Sequence, residues 1–165
     1  MSATTSKAES QKRASSSNRP SELRISEPRK ARPRVTGDAA ADQSRQEEAR
    51  VIATRVASAG LGKKAENVQI IDVRGKVDYA DFLVLMSGTS DRHVAAIAQN
   101  VEAELALQGT RSLALEGLPL ARWVLIDFVD VVVHVFQEEW REVYDLDGLW
   151  MDAGRVALPS TPTAT

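Results

Sequence analysis

The sequence predicts an α/β protein over residues 42–155, a mixed and mostly covered five-stranded sheet with helices packed on it. Three observations lead there. Apolar spacing gives elements in the order α-β-β-α-β-β-β-α. A strand–helix–strand unit stands beside two strands close enough for a hairpin, so one sheet needs both parallel and antiparallel neighbours. Several strands, such as Val131-Val132-Val133, are apolar on both faces and need cover on both.

Taken in order, Ala49, Ile52, Ala53, Val56 and Ala59 recur at helical spacing, and Gly60 and Gly62 end that helix. "NVQIIDV" (67–73) and "DFLVLMS" (81–87) are strands separated by a polar loop at 74–78. Val94, Ile97, Ala98, Val101 and Leu105 mark a second helix that stops at Gly109, a natural left-handed cap position. "SLALEG", "RWVLIDF" and "DVVVHVF" follow as strands, the last two joined by a hairpin turning at 127–130. "QEEWREVYDLDGLW" (137–150) closes the body as a short helix that breaks near Gly148.

The flanks differ in kind. Residues 1–41 are rich in Ser, Arg and Pro and poor in large apolar side chains, so they are expected to stay disordered; 156–165 read as a second unstructured tail. Up to Gly37 there are nine Lys or Arg against three acidic residues, a balance of +6, and the rest of the chain carries −8. A basic arm of this kind suits non-specific contact with phosphates. A transit peptide would place the protein in a mitochondrion or plastid, but Glu9, Glu22 and Glu27 and the missing apolar face argue against one. The absence of cysteine excludes a disulfide framework, a thiolate nucleophile and thiolate metal sites. No run approaches the ~18 apolar residues of a membrane span, so a soluble, single-domain, cytoplasmic protein is expected.

The strongest candidate for chemistry is the strand-to-helix junction Gly88-Thr89-Ser90. A glycine loop at a helix start can bind phosphate, but there is one glycine here and no Gly-Lys-Ser/Thr sequence. The simpler account is that Thr89 or Ser90 caps the helix and Asp91 favours its positive end. Nucleotidyltransferase-like folds pair such a loop with metal-binding aspartates; a magnesium-dependent site would draw on Gly88, Ser90, Asp127 and Asp130. Both aspartates, however, sit where hairpin turns favour them. His93 and His134 lack metal-ligand spacing, and no G-x-S-x-G elbow is present. No catalytic residue, metal or cofactor is expected.

The aromatic residues say more. Trp123 opens a strand, and Trp140, Tyr144 and Trp150 punctuate an acidic segment holding Glu138, Glu139, Glu142, Asp145 and Asp147. Large rings with polar handles beside carboxylates suit a basic protein surface. "DYADFLVLMSGTSDRHV", "LEG" at 115–117, "WVLIDFVDVVVHVFQEE" and "REVYDLDGLW" together resemble the ribosomal silencing factor family, also called Iojap-like, over residues 49–150. The chain departs from that pattern at Trp140 and Gly148. The resemblance implies a nucleotidyltransferase-like fold without the catalytic carboxylates. It implies a non-enzymatic factor that binds the large ribosomal subunit through ribosomal protein L-fourteen, blocks joining of the small subunit and represses translation when nutrients run short. A homodimer of the free protein is implied too, with rRNA phosphates as a further contact for the basic arm. A role in large-subunit assembly is the alternative, since it needs the same docking surface. The residues expected at the contact are Trp123, Asp127, Asp130, Glu138, Glu139 and Tyr144.

Overall fold

In the computed structural model residues 38–160 are described, so nearly all of the expected N-terminal tail and the last five residues lie outside the described residues. Helix α1, Ala39–Leu61, starts where the Asp38 side chain accepts a hydrogen bond from the Ala40 amide (3.2 Å). Its first turns are exposed; burial begins at Ala49 and continues through Ala53, Val56, Ala57 and Gly60. These small residues let the helix approach closely. A Cβ on Gly60 would stand 2.6 Å from the Met86 sulfur.

Strands β1 (Glu66–Asp72) and β2 (Phe82–Gly88) pair antiparallel, and helix α2 (Asp91–Leu107) follows at once. It ends as its glycine predicts: Gly109 has φ +85°, and the Thr110 amide reaches back to the Leu105 carbonyl at 2.8 Å. Then come β3 (Ala114–Glu116), β4 (Trp123–Asp127) and β5 (Val131–Gln137), with short helices α3 (Glu138–Tyr144) and α4 (Leu146–Leu149). A last strand, β6 (Gly154–Val156), pairs with β1. The sheet order is β3-β4-β5-β2-β1-β6; β2 and β5 are parallel and the other pairs antiparallel.

The sheet has one strand more than expected. β6 has three residues, opens with a glycine and shows no apolar alternation, so nothing in it signals a strand before β1 offers an edge. The closing helix also breaks earlier than expected. Asp145 adopts a left-handed conformation (φ 45°, ψ 50°), ends α3, and caps α4 through its side chain, which accepts from the Gly148 amide. Gly117 has its own reason to be glycine: at φ +103°, its Cβ would meet the Trp123 carbonyl oxygen at 2.1 Å.

Side chains alternate between the two faces with period two. Ile70, Phe82, Val84, Met86, Val124, Ile126, Val131, Val133 and Val135 point into a core with α1 and α2, where Val94, Ile97, Val101 and Leu105 are fully buried. Ile71, Leu83, Leu85, Trp123, Leu125, Val132 and Phe136 point to the opposite side, which α3, α4 and the approach to β6 cover. This second face carries the aromatic cluster.

Candidate interaction surface

The junction after β2 is built to make a helix start. Ser90 Oγ accepts from the His93 amide (3.1 Å), the Thr89 amide donates to His93 Nδ1 (2.9 Å), and the Arg92 amide donates to Asp91 Oδ1 (2.8 Å). The Val94 amide is bonded to the Ser90 carbonyl. Four of the amides at this junction, those of Thr89, Arg92, His93 and Val94, are thus already engaged within the chain rather than presented to a phosphate. His93 Nε2 lies 2.7 Å from the Lys63 carbonyl, so this imidazole ties the end of α1 to the start of α2. Gly88 is required by packing, since a Cβ there would lie 2.9 Å from Val94 Cγ2.

Nor do Gly88, Ser90, Asp127 and Asp130 form one site. The parallel register sets Gly88 against Gln137 and Phe82 against Val131, so the glycine lies at one end of the strands and the aspartate hairpin at the other. Six residues of strand separate those ends by ~20 Å, whereas paired catalytic metal ions need ligands around ions ~4 Å apart. Asp127 Oδ1 accepts from the Val129 amide (2.7 Å), and the Asp130 amide donates to the Phe128 carbonyl (3.1 Å). Together they close a γ-turn around Val129 at φ +80°. Among the described residues no group of three His, Cys, Asp or Glu could hold a metal ion.

The aromatic cluster is assembled by register. Trp123 lies opposite Phe136 and Leu125 opposite His134 across the β4–β5 ladder. The Trp123 ring stacks on Phe136 at 5.2 Å between centroids and meets Tyr144 at 4.3 Å. Its Nε1–H donates to His134 Nδ1 (3.0 Å), which fixes that nitrogen as the acceptor of a neutral imidazole. Burial pushes the His134 pKa down to about 4, because its charged form would lose hydration in an apolar setting. Trp123 and Tyr144 remain half-buried as residues, with the Tyr144 hydroxyl itself buried.

Helices α3 and α4 are pinned over this cluster by one cation. Arg141, 6% exposed, makes a two-pronged pair with Asp147 (both contacts 2.9 Å) and donates from Nη1 to the Asn67 carbonyl (2.7 Å) and Ser87 Oγ (2.9 Å). The guanidinium holds the Asp147 carboxyl below its usual range, outweighing the opposing effect of burial. With Arg141 turned inward, Glu138, Glu139, Glu142 and Asp145 give the outer surface an acidic character. Val143, Leu149 and Met151 lie exposed among them, at 67%, 65% and 80%.

Of the six residues expected at a contact, the structure brings Trp123 and Tyr144 together. Glu138 and Glu139 stand exposed on the first turn of α3, directly after β5, at the same end of the sheet as Trp123. The Asn67 side-chain Nδ2 donates to Glu138 Oε1 (3.1 Å), while Glu139 lines a cleft of about 560 Å³ with Arg122, whose guanidinium lies over the Trp140 ring at 5.2 Å. Asp127 and Asp130 are set apart: four residues of β4, ~13 Å, lie between Trp123 and Asp127. Sequence reasoning did not name Trp123 as the hydrogen-bond partner of the strand residue His134, and it missed Arg141 as the pin. The register of the β4–β5 hairpin could have found the first. The second had little local signal: Asp147 lies six residues on, but the other partners, Asn67 and Ser87, are far away in sequence.

A family model described as "Ribosomal silencing factor during starvation" matches residues 44–165. The chain is 45% identical over 96 residues to the ribosomal silencing factor RsfS of Halalkalibacterium halodurans, covering 58% of this chain and 82% of that one. It is 31% identical over 91 residues to the mouse protein named mitochondrial assembly of ribosomal large subunit protein 1, covering 53% of this chain and 40% of that one. A crystal structure of a Bacillus halodurans protein superposes with a TM-score of 0.57 at 38% identity, over 68% of this chain and 99% of that one.

Proposed function

Because the chain belongs to the ribosomal silencing factor family, we propose that it represses translation by occupancy and without catalysis, docking on the large ribosomal subunit through ribosomal protein L-fourteen where the small subunit must join. The observation that carries this reading is the unequal cover of the sheet. One face lies under two long helices, while the other presents half-buried rings beside acidic helix turns. Trp123 and Tyr144 serve as ring anchors, Glu138 and Glu139 pair with Lys or Arg of the partner, and Asp127 and Asp130 form a lower rim. Rings give hot-spot contact area, and carboxylates steer and orient a cationic partner. A standard interface of ~1,600 Å² would suffice to exclude a competing subunit.

The acidic body disfavours bare RNA as the main partner, so rRNA phosphate contact falls to the basic arm. No helix among the described residues is long and apolar enough to cross a membrane, and a cytoplasmic site of action fits ribosome docking. Self-association of the free protein remains part of the reading and is checked by sedimentation equilibrium. The decisive measurement follows subunit joining by light scattering with and without the protein. Added protein should lower joining in proportion to its co-sedimentation with large subunits. Unchanged joining at saturating protein overturns the reading.

The name of the mouse relative favours a second reading, in which the same surface serves large-subunit assembly. Co-sedimentation with mature and immature large subunits separates the two, because a maturation factor prefers the immature particles.

A further inference from the structure

We propose that the basic N-terminal arm, residues 1–37, occupies the acidic α3–α4 surface of the same molecule when the protein is free, and leaves it when phosphates or a cationic partner compete. The inference rests on the docking surface proposed above and adds a built-in occupant to it.

Charge is the first ground. The segment 138–152 holds Glu138, Glu139, Glu142, Asp145, Asp147 and Asp152; the buried Arg141 pairs with Asp147 and Lys76 lies by Asp152, which leaves Glu138, Glu139, Glu142 and Asp145 as the other exposed acidic side chains. No side-chain hydrogen bond or ion pair of Glu139 or Glu142 is present among the described residues. The arm brings nine Lys or Arg against three acids.

Placement is the second. The arm joins the body at Asp38, and the first turns of α1 (Asp42, Arg45 and Gln46) line one cleft with Asp72, Lys76 and Gly154. Lys76 Nζ lies 3.5 Å from Asp152, where the α3–α4 segment ends. The root of the arm therefore adjoins one end of the acidic surface. Thirty-seven residues can extend to ~120 Å, and the helical stretch 138–149 is only ~18 Å long, so reach is ample. Tethering also supplies an effective concentration on the order of millimolar, so a contact too weak to act between separate molecules is populated within one.

The arrangement links two contacts. On a free chain the arm and the acidic surface satisfy each other. On a particle that offers both rRNA phosphate and a basic protein, each finds a stronger partner. The arm would thus screen the surface from stray cationic proteins and yield it where both partners coincide.

The chain has no cysteine, so Ser17→Cys gives one attachment point for a spin label on the full-length protein. At low ionic strength the label should broaden the amide resonances of residues 139–152 and leave the exposed side of α2 sharp. The broadening should vanish at ~1 M salt, where the Debye length is ~3 Å, and in Glu139→Lys/Glu142→Lys. No broadening, equal broadening of α2, or persistence through salt and charge reversal overturns the proposal. So does broadening that appears only when spin-labelled chains are mixed with isotope-labelled, unspun chains, which puts the arm on another copy. No ribosome enters this experiment, so its failure is distinct from a failure of ribosome docking.

Discussion

The two faces of the sheet are closed by different means. Under α1 and α2 the contact is apolar and continuous, with Val56, Phe82, Val84, Ile97, Val101 and Val133 at 0% exposure and no buried ion pair among the described residues. On the opposite face the cover is a seven-residue helix and a four-residue helix, each too short to be stable alone. There the closure depends on polar contacts placed within apolar surroundings: the Trp123–His134 bond and the four bonds of Arg141. The first face holds the fold by area removed from water. The second also buries apolar area, with Ile71, Leu83, Leu85 and Phe136 at 0–1% exposure, but adds a few directional contacts to it and includes a buried titratable group, His134.

The largest expected effect tests the first face. Ile97→Ala removes a fully buried side chain from the helical layer and should cost about 2–5 kcal/mol, read as a lower urea midpoint of the whole domain. If the midpoint barely moves, the helical layer is not what holds the sheet. Arg141→Ala should cost about 2–3 kcal/mol, below the 3–5 of a fully buried pair because the Asp147 side chain keeps 34% of its exposure. Its signature should be local, with faster amide exchange in α3 and α4 than in β2 and β5. Equal acceleration everywhere would make the two faces one cooperative unit and remove the distinction between them.

How far the sequence foretold this contrast depends on the range of the signal. Strands β2, β4 and β5 and helix α2 were legible because apolar period and local caps are written in consecutive residues; Ser90 and Gly109 act where their chemistry says they should. The break at Asp145 was not legible, because an αL aspartate that caps the next helix looks like any acidic helical residue. Nor was β6, which exists through its pairing with β1. Trp123 and Tyr144 were named as contact residues on residue type alone; that their rings meet depends on tertiary packing of α3 against β4 and β5. The separation of Gly88 from Asp127 likewise needed the parallel pairing of β2 with β5.

A smaller effect, confined to the second face, depends on pH. The His134 pKa is about 4 in the folded chain against an ordinary 6.5, so the unfolded chain takes up the proton first. Its contribution is complete above pH 6.5 and is lost progressively as pH falls from there towards 4, with a slope of at most ~1.4 kcal/mol per pH unit. Protonation of Nδ1 would also end its acceptance from Trp123 Nε1. His134→Gln should flatten urea midpoints between pH 6.5 and 4, while Asp72 and Asp147, whose pKa values are lowered, act further into the acid range. An unchanged slope in that variant would assign the acid sensitivity to other groups.

The smallest effect on stability should accompany the largest effect on docking. Glu138 and Glu139 are exposed, and among the described residues the only side-chain hydrogen bond of either is the exposed Asn67–Glu138 contact. Glu138→Lys/Glu139→Lys should therefore lower stability, read from the urea midpoint, by no more than about 1 kcal/mol, chiefly through the lost favourable charge at the start of α3. The same two changes replace attraction by repulsion toward a cationic partner, so co-sedimentation with large subunits should fall and its dependence on salt should weaken. The pair of readouts matters because a fall in both would mean only that α3 had come loose from the sheet. Stability retained with docking lost places the acidic turn at the contact. Stability and docking both retained remove Glu138 and Glu139 from the interface and leave the rings of Trp123 and Tyr144 to account for it.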